Sequence, residues 1–215
     1  MIIIAFFFLL RPGEYTVSSS ESTPFTCNDI QLFIGHRRLD TTTASDDEIS
    51  SATFATLTFT TQKNGVRGEV IGHGSSGNPT LCPVKAIGNR IKHLCMFNAD
   101  RQAPLAKVFC NNQWSGVKPN DITTTLRNAV SFLGPSLGFL SSDVSARCLR
   151  AAGANALLCA NVDGDVIRLL GCWRSDEMLR YLHLQAAPVM NRFSQRMLTG
   201  GQFTLIPNQM VPVAE

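Results

Sequence analysis

Asp143–His183 reads DVSARCLRAAGANALLCANVDGDVIRLLGCWRSDEMLRYLH, and the reading of this stretch decides the reading of the chain. Arg147 and Arg150 are three apart on an apolar-periodic segment, capped by Ser141, Ser142 or Asp143. That spacing lets one helical face carry both guanidiniums. Two guanidiniums on one face suit a doubly charged oxyanion such as a phosphodiester in its transition state. Ala151, Ala152, Ala154 and Ala156 allow close packing of the same helix. Asn161–Gly164 is a turn, Asp163–Leu170 a second helix-like run, and Gly171-Cys172-Trp173 follows it. Ser175 or Asp176 then caps a segment carrying Tyr181, whose phenol is a candidate nucleophile.

Working outward, 215 residues suit one domain with a real core. Hydrophobic content of 44% and charged content of 16% are globular values, which excludes a disordered chain. A net charge of +3 does not announce nucleic acid, so any DNA contact has to come from a local cluster of Arg and Lys. Seven cysteines without a C-x-x-C framework point to reduced thiols in the cytosol or nucleus. No Cys/His set has metal-ligand spacing, so no metal or other cofactor is expected. No Walker loop, G-x-S-x-G or dinucleotide fingerprint is present either.

Ile2–Leu10 is apolar but short for a membrane span. It lacks a basic n-region and a small-residue cleavage site, so it is read as a buried helix rather than a targeting segment, and the protein as neither secreted nor membrane-bound. Pro12 ends the helix at Arg11. Residues 16–24 are loop-like, and Asp29–Arg38 is read as a strand broken at Gly35, with His36, Arg37 and Arg38 as a small basic cluster. Such a cluster is more often a solvated face than a DNA contact. Asp46–Ala52 is a helical turn. Thr53–Thr61 is the clearest strand, Asn64-Gly65 a tight turn, and Val66–Ile71 the returning partner, which puts Lys63 at a hairpin tip.

Pro83 opens a helix with Val84, Ile87, Ile91 and Leu94 on one stripe. Lys85, Arg90 and Lys92 lie off that stripe and read as solvated or, in the alternative, as lying along a DNA backbone, and His93 as incidental. Leu105–Cys110 is a short strand. Asp121 caps a helix to Leu133, with Leu126, Val130 and Leu133 inward and Arg127 outward.

The stretch from Arg147 to Tyr181 resembles the C-terminal box of the tyrosine recombinase (phage-integrase-like) family. There an H-x-x-R is followed after about twenty residues by Gly-His or Gly-Trp, and nine later by the tyrosine. Arg150 matches the invariant arginine and Gly171 the glycine; Tyr181 lies nine after Cys172. The wording LLGCWRSDEMLRYL is most similar to recombinases of eukaryotic DIRS- and Crypton-type mobile elements, retrotransposons among them. Two positions depart: Arg147 stands where His is usual and Cys172 where His or Trp is usual, with Trp173 one place late.

The resemblance implies an α+β, mainly α-helical catalytic-domain fold with a small antiparallel sheet over residues 1–198, and a tail at 199–215. The family's separate DNA-gripping domain is expected to be absent. Arg11-Pro12-Gly13-Glu14 resembles the first box, in which the arginine binds the scissile phosphate and the acid braces the turn. A lysine at the place of Lys63 donates a proton to the departing 5′-oxygen, and Arg67 is a second candidate on that hairpin. The implied catalytic set is Arg11, Lys63, Arg147, Arg150, Cys172 and Tyr181. Arg37, Arg38, Arg67 and Trp173 are the implied DNA contacts, although Trp173 also reads as core, since helix phase turns it about 100° from Cys172. The implied activity is DNA recombination and integration in the nucleus, or else the cytoplasm. The implied partners are double-stranded DNA and further copies of the chain in a tetramer. An arginine cannot act as a base at neutral pH, so Arg147 implies chemistry that is slow or reliant on electrostatics. The alternative is a decayed remnant that keeps the fold and at most binds DNA.

Overall fold

A computed structural model describes residues 1–17, 23–60, 68–134, 138–173, 178–179, 193 and 195. Lys63, Arg67 and Tyr181 lie outside the described residues. The architecture is mixed α+β with a small antiparallel sheet. The elements are α1 (Ile2–Phe7), the single turn α2 (Pro12–Tyr15), β1 (Ile30–Ile34), β2 (Arg37–Leu39), α3 (Asp46–Ser50), β3 (Phe54–Phe59) and β4 (Glu69–Gly74). Then come α4 (Pro83–Met96), β5 (Lys107–Cys110), β6 (Gln113–Gly116), α5 (Pro119–Leu133), α6 (Cys148–Cys159) and α7 (Gly164–Leu170).

The main sheet has the order β2-β1-β3-β4, and every pairing is antiparallel. Its register follows from alternation: Ala55, Leu57 and Phe59 of β3 are buried, and Leu57 pairs with Ile30 and Ile71. Asp29–Arg38 is therefore two strands, since Gly35, at φ +57°, turns the chain and Arg37–Leu39 pairs back on β1. Phe59 pairs with Glu69, so Lys63 and Arg67 belong to the connection between β3 and β4. β5 and β6 form a separate two-stranded hairpin, of which only the first strand was expected. Asn111 and Asn112 turn it, both at positive φ, a conformation asparagine tolerates.

One apolar core joins α1, the sheet and α4, with Phe8, Leu32, Leu57, Ile87 and Ile91 almost wholly buried. The expected α4 stripe of Val84, Ile87, Ile91 and Leu94 is buried in full. Two expectations for this helix give way. Arg90 is not solvated: its Nε donates to the Leu105 carbonyl and its Nη2 to that of Lys107. His93 is not incidental: its Nε2 accepts the Phe109 N–H at 3.0 Å beside Phe97 and Trp114. Both tie the β5–β6 hairpin to α4.

α5 departs further from expectation. Asp121 accepts from the Lys118 N–H, so the helix begins earlier, at Pro119. Only Ile122 is buried; Leu133 is exposed and Phe132 is 90% exposed. A second, smaller cluster of Leu9, Ala154, Ile167, Trp173 and Met178 lies between α1, α6 and α7. Among the described residues no helix is long and apolar enough to cross a membrane.

Candidate phosphate-binding site

Arg150 is the buried centre of the candidate site. Its residue exposure is 4%, and three of its contacts come from distant parts of the chain. Nη1 donates to the Leu9 carbonyl at 2.5 Å and Nη2 to the Gly171 carbonyl at 2.6 Å. The guanidinium carbon lies 4.0 Å from the centroid of a Trp173 ring.

Both carbonyls stand just past the ends of short helices, α1 and α7. The last carbonyls of a helix have no intrahelical partner and carry partial negative charge. A guanidinium with five N–H donors suits two such ends at once. Both ends turn through a non-glycine residue in the left-handed region, Leu9 and Cys172, each at φ +51°. That conformation costs about 1–2 kcal/mol for a residue with a Cβ. At these two positions it aims a carbonyl at, or lies next to a carbonyl that meets, the same cation.

Three glycine and alanine positions permit the approach. A Cβ on Gly153 would lie 2.2 Å from the Phe6 carbonyl oxygen, and one on Gly171 1.7 Å from the Trp173 ring. Close packing of α6 thus comes from Gly153 and Ala154, both buried, whereas Ala152 and Ala156 are exposed.

Arg11 lies two residues beyond Leu9, so the fold brings its turn next to the Arg150 clamp. Glu14 is buried and holds that turn: its carboxylate accepts the Arg11 backbone N–H at 2.6 Å and the Arg11 guanidinium at 3.1 Å. The Tyr15 hydroxyl donates to the Ala146 carbonyl at 2.9 Å, one residue before Arg147. Burial pushes the Tyr15 phenol well above its ordinary pKa, so it stays protonated and donating. The Ala146 N–H donates to Thr123 Oγ1, and Arg127 donates to the Val144 and Ser142 carbonyls. Arg127 therefore does not simply point outward; it pins the segment that leads into α6.

Arg147 and Arg150 do not present two guanidiniums on one exposed face. α6 begins at Cys148 and Arg147 is its exposed capping residue, while Arg150, a turn later, faces inward. Trp173 is 7% exposed, and its ring lies against the Arg150 guanidinium. Helix phase does not govern it, because α7 ends at Leu170 and the backbone reverses at Cys172. Its ring folds back over Gly171 onto Arg150. Cys172 is buried in the main core.

Arg37 pairs with Glu48 at 3.0 Å, while Arg38, on the other face of β2, lines a cleft of about 340 Å³ with Arg101 and Asp40. Among the described residues no cluster of His, Cys, Asp or Glu is placed to hold a metal. The roles of the Leu9 and Gly171 carbonyls had no signal in the sequence, since any residue supplies a carbonyl.

No protein-family model matches this chain, and no curated protein and no solved structure is significantly similar to it.

Proposed function

We propose that this chain is the catalytic domain of a tyrosine recombinase, of the kind carried by eukaryotic DIRS- and Crypton-type mobile elements. It acts on double-stranded DNA in the nucleus as an oligomer. One observation carries the reading. The arginine of the C-terminal box, Arg150, is bonded to the carbonyl of Leu9, which lies 141 residues away and two before the arginine of the first box. Two stretches that resemble separate parts of one catalytic machine are thus neighbours in space.

In this reading Arg11 and Arg150 hold the non-bridging oxygens of one phosphodiester, and Arg147 supplies further positive charge at the rim. The Tyr181 oxygen attacks phosphorus and loses its proton to solvent water. The bond from phosphorus to the 5′-oxygen breaks, and that oxygen takes a proton from Lys63. A 3′-phosphotyrosine and a free 5′-hydroxyl result, and the reverse steps join a new strand. Positioned cations stabilise the charge that develops in such a transfer. With arginine at the usual histidine position, that position supplies no base, so the reaction is slow compared with a site that has one there.

The test is a pool of nicked duplexes with randomised arms, in which cleavage releases a short oligonucleotide and traps the enzyme. A denaturation-resistant protein–DNA adduct, absent with Tyr181→Phe, is the expected result. If no duplex in the pool yields an adduct, the decayed-remnant reading takes its place, and residual duplex binding then measures what the remnant retains.

A further inference from the structure

We infer that Trp173 is a positioning residue that acts on the phosphate through Arg150, and not by contacting the DNA. The inference rests on the recombinase reading and adds a role to a residue which that reading leaves in the core. Three observations carry it. The ring lies 4.0 Å from the guanidinium carbon, close enough for a cation–π contact. The indole is 7% exposed and the guanidinium's residue 4%, so water does not weaken the attraction. Gly171 has no Cβ, and any Cβ there would lie 1.7 Å from the ring, so the seat of the indole is built into the backbone.

A guanidinium is planar, and its N–H groups donate in that plane. The two carbonyl bonds fix two points of the plane and the indole face supports it, so its tilt is set before any phosphate arrives. Preorganised donors of this kind lower the barrier because they need no reorganisation during the reaction. Arg150 therefore binds phosphate only as well as Trp173 holds its orientation.

The experiment replaces Trp173 alone with tryptophans carrying one, two and three ring fluorines, inserted by nonsense suppression. Each fluorine drains negative charge from the ring face at nearly constant shape, so the fold is kept. The rate of adduct formation is read at saturating concentrations of the duplex selected from the nicked pool, with duplex affinity measured alongside. The rate is expected to fall stepwise with fluorine number, by about 30-fold over the series, the worth of a desolvated cation–π contact. Duplex affinity is expected to change by less than threefold. Trp173→Phe, which keeps a face, should retain most of the rate that Trp173→Leu loses.

A flat series overturns the inference and leaves the recombinase reading intact. A rate that rises with fluorination also overturns it, because fluorine strengthens the indole N–H as a donor and would mark a direct bond to phosphate. An unmodified protein that forms no adduct removes both.

Discussion

α4 and α6 are helices of similar length that bury their inward faces by opposite means. α4 buries Val84, Ile87, Ile91 and Leu94, a stripe of large apolar side chains. α6 buries Leu149, Arg150, Gly153 and Ala154: one leucine, one cation and two of the smallest residues. Burial of a large aliphatic side chain contributes about 1.5–3 kcal/mol, so α4 holds the fold together by apolar area. α6 holds a charge in place by letting α1 approach until backbone nearly touches backbone. The difference teaches that two helices packed against the same α1 are organised for different tasks, one for stability and one for geometry.

Deleting volume from α4 tests the first half of that contrast. Ile87→Ala should lower unfolding stability by about 2–5 kcal/mol, through lost transfer energy and the cavity left behind. Urea denaturation measures it, and near-native Trp173 fluorescence in the folded variant should show that the Arg150 clamp is untouched. A loss below about 1 kcal/mol would mean that α4 is not the stabilising helix. Adding volume to α6 tests the second half. Gly153→Val puts a Cβ where the Phe6 carbonyl now sits, and overpacking of this kind costs about 1–3 kcal/mol. Here the fluorescence of Trp173 should change, because the shift of α1 carries the Leu9 carbonyl away from Arg150.

The same contrast explains what was legible in the sequence. The α4 stripe, the strand at Thr53–Thr61 and its returning partner follow from periodicity, which reports burial of apolar side chains. Arg11, Glu14 and Arg150 were singled out because each matches a spaced motif. The exposure of Arg147 was not legible, since helix phase places it beside Arg150 only if the helix extends through both, and α6 begins one residue after Arg147. The inward course of Trp173 was hidden for a similar reason: a reversal at a cysteine with φ +51° has no sequence signal. Arg90 and Arg127 read as outward-facing and His93 as incidental, yet each bonds backbone of another element. Polar side chains that pin carbonyls or N–H groups follow tertiary geometry and not periodicity.

The seam between the two regions has its own test, in pH. His73 of β4 packs edge-on against Phe7 and Phe8, its Nε2 is buried with no hydrogen-bond partner among the described residues, and its strand neighbour across the sheet is Ala55. Burial depresses its pKa below the ordinary 6.5, and a hydrogen bond to the Phe7 backbone only partly offsets this. The unfolded chain therefore takes up the proton before the folded one. Stability from neutral His73 is complete above pH 6.5 and is lost as pH falls from there towards the depressed value. Melting temperature followed from pH 7.5 to 5 should show the decline. His73→Leu should flatten it over the same range, and an unchanged slope would assign the decline to other groups.

The smallest expected effect probes the joint between the Arg11 turn and α6. Tyr15 donates to the Ala146 carbonyl from a buried position, and the Ala146 N–H is held by Thr123. Tyr15→Phe leaves the ring in the core and removes only the hydroxyl. The cost is about 1–2 kcal/mol, the penalty of a buried carbonyl without its donor. Its consequence for the site should exceed its consequence for the fold, because the bond joins the turn that carries Arg11 to the residue before Arg147. At a temperature where both proteins are fully folded, adduct formation by Tyr15→Phe should therefore be slower by more than duplex affinity is weakened. Equal losses in rate and affinity would make Tyr15 a packing residue like those of α4. An unchanged rate would show that Arg11 keeps its place by means of Glu14 alone.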